Sequence, residues 1–197
     1  MPPNYTVIKD TREQDGWFFS KYDKCSGMET SSLHTGDYTI KGFEDVVCVE
    51  RKASISELAN NLGKKKKAFY AEMQRIKDFP FKFLIFEFSF SDLSEYPYSL
   101  LSADERMEYF EYVEYEKKIE EDPSLMGVID RVQRPSIGKR LEIVERAKVS
   151  GKYLIKCLME IQIWYDVKIM FCDDKDKAFL VCSSLFKRLN ELFHKKD

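Results

Sequence analysis

The chain has no CxxC pair, no long apolar run and no surplus of charge of either sign, and each of these absences removes a class of protein. Its five cysteines, Cys25, Cys48, Cys157, Cys172 and Cys182, are odd in number and scattered, which argues against a structural zinc site and against a disulfide framework. A reducing, cytoplasmic setting is the expectation. No window approaches the roughly 18 consecutive apolar residues of a membrane span, and the start MPPNYTVIKD lacks a basic stretch followed by an apolar one. The protein is therefore expected to be soluble and intracellular, with no membrane partner. Lys plus Arg number 32 against 34 Asp plus Glu, a formal charge of -2, so nothing global attracts a polyanion and any nucleic-acid surface has to be local. Internal repeats and low-complexity tracts are missing as well.

What is present suits one α/β domain. A length of 197 residues with 44% hydrophobic and 14% aromatic content builds a substantial core. Tyr5 to Lys9 reads as a short buried strand that delivers Asp10 at its end, and residues 11 to 34 show no clear pattern. A Thr-Gly-Asp turn leads into Tyr38-Thr39-Ile40, and Val46 to Lys52 is a strand that stays apolar until its last three residues. From Ser56 to about Asp78, Leu58, Leu62, Phe69, Met73 and Ile76 recur at helical spacing, with Ser54 or Ser56 as cap, and the spacing predicts one amphipathic helix. Pro80 ends it, and Phe81 to Phe88 has the near-continuous apolar run of a central strand.

After Ser89 the composition shifts. Residues 104 to 122 hold nine acidic and three basic residues with spaced aromatics (Tyr109, Phe110, Tyr112, Tyr115), which reads as a helix or an acidic excursion outside the core. Residues 131 to 156 are the reverse, rich in Arg131, Arg134, Lys139, Arg140, Arg146, Lys148, Lys152 and Lys156, and suit a surface facing phosphate. The α/β rhythm resumes with a helix from Gly151 to about Tyr165, a strand Val167 to Cys172 and a helix from about Lys175 to Phe193.

Metal-assisted cleavage of a phosphodiester needs carboxylates to hold the ion and a cation to orient water and offset developing charge. In Glu50-Arg51-Lys52 the first and third side chains share one strand face while Arg51 points away. Gly36-Asp37-Tyr38 lies just upstream, where glycine allows a sharp turn and Asp37 can face Glu50 across a hairpin. Hard oxygen ligands of this kind suit Mg²⁺ or Mn²⁺. The run Lys64, Lys65, Lys66, Lys67 fits either a DNA-backbone contact or a solvated helix face. His34 reads more readily as a surface residue than as a ligand, and Glu87 as either a buried carboxylate or a solvated strand end.

The series Asp10-Thr11-Arg12-Glu13, Gly36-Asp37-Tyr38 and Val49-Glu50-Arg51-Lys52 resembles the signature of XPF-type structure-specific endonucleases, a branch of the PD-(D/E)XK superfamily. The resemblance covers about 1 to 92 and 150 to 195, including Tyr70, Gln74 and the strand ending Leu84-Ile85-Phe86-Glu87. It implies an α/β, restriction-endonuclease-like core with a central mixed sheet flanked by helices, interrupted by an insert at about 93 to 149. It also implies a metal-dependent endodeoxyribonuclease acting on branched or flap duplex DNA. Asp37, Glu50 and Asp10 would be the metal set, Lys52 the water-orienting cation and Glu13 a further acidic member, while Arg12 and Arg51 would contact phosphate or brace the carboxylates. The family's usual Asp four residues after the lysine is Ser56 here, with Glu57 next. No tandem helix-hairpin-helix module follows, as in stand-alone phage and bacterial forms. A homodimer through the C-terminal helices is expected from the same resemblance, with Trp164, Phe179, Phe186 and Phe193 offering either dimer surface or core. Two rival readings are a silent nuclease fold that serves as a DNA-binding or dimerisation partner, and a Holliday-junction resolvase-like enzyme.

Overall fold

A computed structural model describes residues 3–21, 24–128, 132–135 and 139–195. Six strands form one mixed sheet in the order β2-β1-β3-β4-β5-β6, namely Tyr5–Asp10 (β1), Cys25–Ser31 (β2), Tyr38–Ile40 (β3), Val47–Lys52 (β4), Phe81–Phe86 (β5) and Lys168–Phe171 (β6). β3 is antiparallel to both β1 and β4, and the pairs β1–β2, β4–β5 and β5–β6 are parallel. The strand absent from the sequence reading is β2. Its sequence CSGMETS has no apolar alternation, it contains Gly27 at positive φ, and it lies half-exposed at the sheet edge, where no core pattern is imposed on it.

Register assigns every side chain to a face. Tyr38 opposite Lys9 and Val49 places Val7, Ile40, Val47, Val49, Phe83 and Ile85 on one side. There they pack with Trp17, Phe19 and the last helix, α7 (Lys175–Phe193). The other side carries Cys48, Leu84 and Phe86 under α1 (Ile55–Leu62), α2 (Lys66–Ile76) and α6 (Gly151–Tyr165). The expected single helix over 56–78 is thus two helices. Gly63 caps α1 through its N–H to the Ala59 carbonyl at 2.9 Å, and residues 64 and 65 are exposed lysines with no apolar side chain to bury, so the chain breaks there and restarts.

A short helix α3 (Phe90–Ser94) opens the insert, followed by α4 (Ala103–Glu121) and α5 (Lys139–Arg146). α4 starts with a full capping box between Ser102 and Glu105 and buries none of its residues, in keeping with an acidic excursion outside the core. Arg131 and the side chain of Lys139 lie outside the described residues. Arg134 pairs with Glu145 at 2.6 Å and Arg140 with Glu105, so these two half-exposed arginines tie the insert together. Of the aromatics weighed for a dimer, Phe186 is fully buried and Phe179 and Phe193 pack against the core, which leaves Trp164 exposed.

The insert returns to the core at Gly151, whose N–H reaches the Tyr96 carbonyl at 2.8 Å. A Cβ on Gly151 would stand 2.2 Å from the Leu93 carbonyl and 2.5 Å from that of Ser94, both backbone atoms that cannot swing aside. Gly151→Ala is expected to cost about 1–3 kcal/mol, read as a lower urea midpoint; an unchanged midpoint would show that α3 and α6 separate freely.

Candidate active site

The sheet register that builds the core also builds the site. Asp10 ends β1, Asp37 immediately precedes β3, and Glu50 and Lys52 end β4; alternation places all four on the α1/α2 face. Backbone bonds fix the frame: Asp10 N–H donates to the Asp37 carbonyl at 2.8 Å and Asp37 N–H to the Val49 carbonyl at 2.8 Å. Gly36, at φ 77°, makes the approach, since a Cβ there would stand 2.5 Å from the Cys48 Sγ.

Asp37 Oδ2 accepts the Arg51 N–H at 2.7 Å. Burial pushes its carboxyl well above the usual range, and the charge of Glu50 adds to this against the opposing pull of Lys52. Lys52 is nearly fully buried and donates to Glu50 Oε1, and its ammonium lies 5.3 Å from the Phe69 ring centroid and 3.5 Å from Glu57 Oε1. Burial alone would lower its pKa, but Glu50, Asp37 and Glu57 together hold it above its ordinary value, so it stays charged. Glu57, the neighbour of the departing Ser56, also accepts the Ala53 N–H at 3.0 Å and its own N–H is held by Ser54. It therefore closes the start of α1 over Lys52.

Glu50 Oε2 is buried with no hydrogen-bond partner among the described residues. An ionised carboxylate oxygen in that position carries a desolvation cost unless something cationic meets it. Asp37 and Glu50 are hard oxygen donors of the kind that suit Mg²⁺ or Mn²⁺, and the orphan oxygen fits such a group. Among the described residues no three His, Cys, Asp or Glu side chains close on one point as a ready-made cage. Asp10, the third carboxylate of the expected set, already has its oxygens engaged. Its oxygens take the Arg12 Nε–H at 2.6 Å, the Arg12 N–H at 2.8 Å and the Leu33 N–H at 2.7 Å. Burial raises its carboxyl and these partners more than offset that, leaving it below its ordinary value. The partner of Arg12 is thus Asp10, which places Arg12 in a bracing position.

Arg51, as alternation requires, points to the opposite face. It forks onto Glu87, with Nε to Oε1 and Nη2 to Oε2 both at 2.7 Å, reaches Glu13 at 3.2 Å and lies over Trp17 at 5.8 Å. Trp17 Nε1 donates to Glu87 Oε1 at 2.7 Å. Glu87 is thereby the buried carboxylate of the two readings, and Arg51 is in a bracing position. Glu13 is held by Arg51 at the rim, and burial raises its carboxyl against the pull of Arg51.

The lysine run divides. Lys66 Nζ bonds the Tyr153 hydroxyl at 3.1 Å and sits over the Tyr70 ring, joining α2 to α6, while Lys64, Lys65 and Lys67 are exposed. His34 is exposed and belongs to no ligand cluster among the described residues.

The sequence reading passed over Glu72. It lies on α2 one turn after Phe69, the ring beneath Lys52, and that spacing was the available signal. Burial pushes its carboxyl up to about 7, with the charge of Glu50 adding and Lys52, Arg75 and Arg12 opposing.

The ERCC4 domain matches residues 9–184. The chain belongs to the ERCC4-domain family. No curated protein sequence matches it. Among solved structures it is similar to XPF from Aeropyrum pernix, at TM-score 0.50 and 17% identity over 97% of this chain and 62% of that one. It is likewise similar to XPF from Aeropyrum pernix in complex with DNA, at TM-score 0.52 and 18% identity over 100% of this chain and 68% of that one. The chain thus spans about two-thirds of the archaeal protein's length, and the fold is that of an XPF-type nuclease domain. No described helix is long and apolar enough to cross a membrane.

Two outcomes test this ERCC4-domain site. Because the folded value of Glu72 lies above its ordinary 4.5, the fold favours its neutral form; that contribution is complete below the ordinary value and is lost as pH rises through about 7. Glu72→Gln removes the titration, so melting temperature at pH 8 should rise by on the order of 3 °C and stay nearly unchanged at pH 4.5. Equal shifts at both would exclude an electrostatic origin. Arg51→Ala strands Glu87 and should lower stability by about 3–5 kcal/mol, with denaturant unfolding as the measurement and a loss below 1 kcal/mol as the contrary result.

Proposed function

We propose that this domain is a metal-dependent DNA endonuclease that hydrolyses phosphodiester bonds at branched or flap structures. The observation that carries the reading is the meeting of Asp37, Glu50 and a permanently charged Lys52 on one sheet face, with a buried Glu50 oxygen left unpartnered. Asp37 and Glu50 are the residues that would hold Mg²⁺ or Mn²⁺, with Asp10 placed behind Asp37 as support. When bound, such an ion supplies Lewis-acid charge for a phosphoryl oxygen and lowers the pKa of water.

The rest is the work of the chain. Lys52 presents an ammonium inside a low-dielectric pocket, where it orients the attacking water and offsets negative charge as the phosphorus centre becomes five-coordinate. Its position is fixed before substrate arrives by Glu50, Glu57 and the Phe69 ring, so no reorganisation is needed in the transition state. The Asp10–Arg12 pair, with the guanidinium two-thirds exposed at the rim, offers a cation to an incoming phosphate without leaving Asp10 uncompensated. The five cysteines are all free, which suits action in a reducing cytoplasm. Exposed Ile163 and Trp164 at the end of α6 give a homodimer an apolar patch to cover.

Cleavage of labelled flap, fork, four-way and linear DNAs with Mg²⁺ or Mn²⁺ tests the reading. Asp37→Ala and Lys52→Ala should each lower the rate by at least about 10²-fold while leaving DNA binding within a few-fold. Purified protein that cuts none of these substrates would leave the silent-partner reading in place, and paired symmetric nicks in the four-way junction would instead indicate a resolvase.

A further inference from the structure

A groove of about 960 Å³ runs beside α1, away from the carboxylates. One wall is the face of α1 that carries Ser56 and Asn60, one turn apart, followed by Lys64 in the turn after the helix. The facing wall is the returning end of the insert, with Ile143 and Arg146 of α5 followed by Lys148. Its floor is apolar, formed in part by Ala59 and Val149, and Lys64, Arg146 and Lys148 are all exposed at its edges. Glu142 is the one acidic residue of the lining, and it stands 3.9 Å from Arg146. Among the described residues Lys64 and Lys148 have no ion-pair partner, in contrast to Arg134 and Arg140, which the insert uses internally.

The groove adjoins the site along the chain. Ser56, at one end of it, is followed by Glu57, whose carboxylate reaches Lys52. A chain lying along α1 would run from Ser56 past Asn60 to Lys64.

We propose that this groove holds the single-stranded arm of a branched nucleic acid next to the scissile phosphate. The charge pattern argues for a polyanion, because cations along a concave, low-dielectric surface reinforce one another's field. The apolar floor argues for a single strand over a duplex. A duplex presents phosphates outward and hides its base faces, so it gains nothing from Ala59, Ile143 and Val149; a single strand exposes both its backbone and its base faces. The insert thus supplies a binding wall that the nuclease core alone lacks, to which the basic stretch of the sequence contributes Arg146 and Lys148.

This inference rests on the nuclease reading above, and the test separates the two. Fluorescence anisotropy in Ca²⁺ and cleavage in Mn²⁺ are measured on a forked duplex with and without a single-stranded arm, for wild type, Arg146→Glu/Lys148→Glu and Lys64→Glu. These are exposed side chains, and a melting curve checks that the fold is retained. The charge reversals should weaken binding of the armed fork about tenfold or more and lower the salt slope by about 2, with the armless duplex bound within twofold of wild type. Cleavage that continues while all variants keep the wild-type preference for the arm overturns the groove and leaves the nuclease standing. An equal loss on armed and armless DNA, or loss of a dimer with arm binding intact, overturns it too, assigning the surface to duplex or to a second copy. Wild-type protein that neither binds nor cuts any of these DNAs overturns both readings.

Discussion

Three consecutive charged side chains, Glu50, Arg51 and Lys52, lie buried at the end of the central strand, and the rest of the site is arranged around the need to compensate them. Burial of an ion without a partner costs several kcal/mol, so each face of the strand has to supply opposite charge. Alternation divides the task. Arg51 goes to the side of Trp17 and is neutralised by Glu87 and Glu13, and Glu50 and Lys52 go to the other side and meet each other. The two solutions differ in completeness. The Arg51 fork uses both oxygens of Glu87, whereas Glu50 has one oxygen bonded and one orphaned. A closed network on one face and an open one on the other is how a single strand end combines rigidity with chemistry.

The carboxylates on the open face strain against one another. Asp37, Glu72 and Glu50 lie within electrostatic reach of one another and of Lys52, with Arg12 at the rim. Burial raises the carboxyls of Asp37 and Glu72, and the like charge of Glu50 adds to it. Such a cluster is expensive in stability and receptive to added positive charge. The backbone frame beneath it, with Asp10 N–H on the Asp37 carbonyl and β1 paired to β3, is indifferent to the protonation of the carboxylates.

Much of this was legible in the sequence, and the exceptions have physical reasons. The placement of Glu50 and Lys52 on one face and Arg51 on the other follows from strand alternation alone, and the order of strands and C-terminal helices follows from apolar period. β2 was illegible because an edge strand buries too little to leave a pattern. The break between α1 and α2 was hidden because Leu62 and Phe69 are seven residues apart, a separation that keeps helical phase across an interruption. Partnership was the least visible layer. That Arg12 belongs to Asp10, Lys66 to Tyr153 and Glu87 to Arg51 depends on approaches of chain segments that no local motif records. Glu72 went unnoticed because a single glutamate on an amphipathic helix carries no motif, only a position relative to Phe69.

The residues that open and close the insert are clasped together, with Gly151 N–H on the Tyr96 carbonyl and its Cα pressed against the ends of α3. A segment whose two ends are pinned side by side exerts no leverage on the domain that carries it, whatever its length. The interrupted stretch can then lengthen, shorten or be exchanged over generations while the strand ends that hold the charges keep their spacing. The excursion and the charged strand ends become separately heritable.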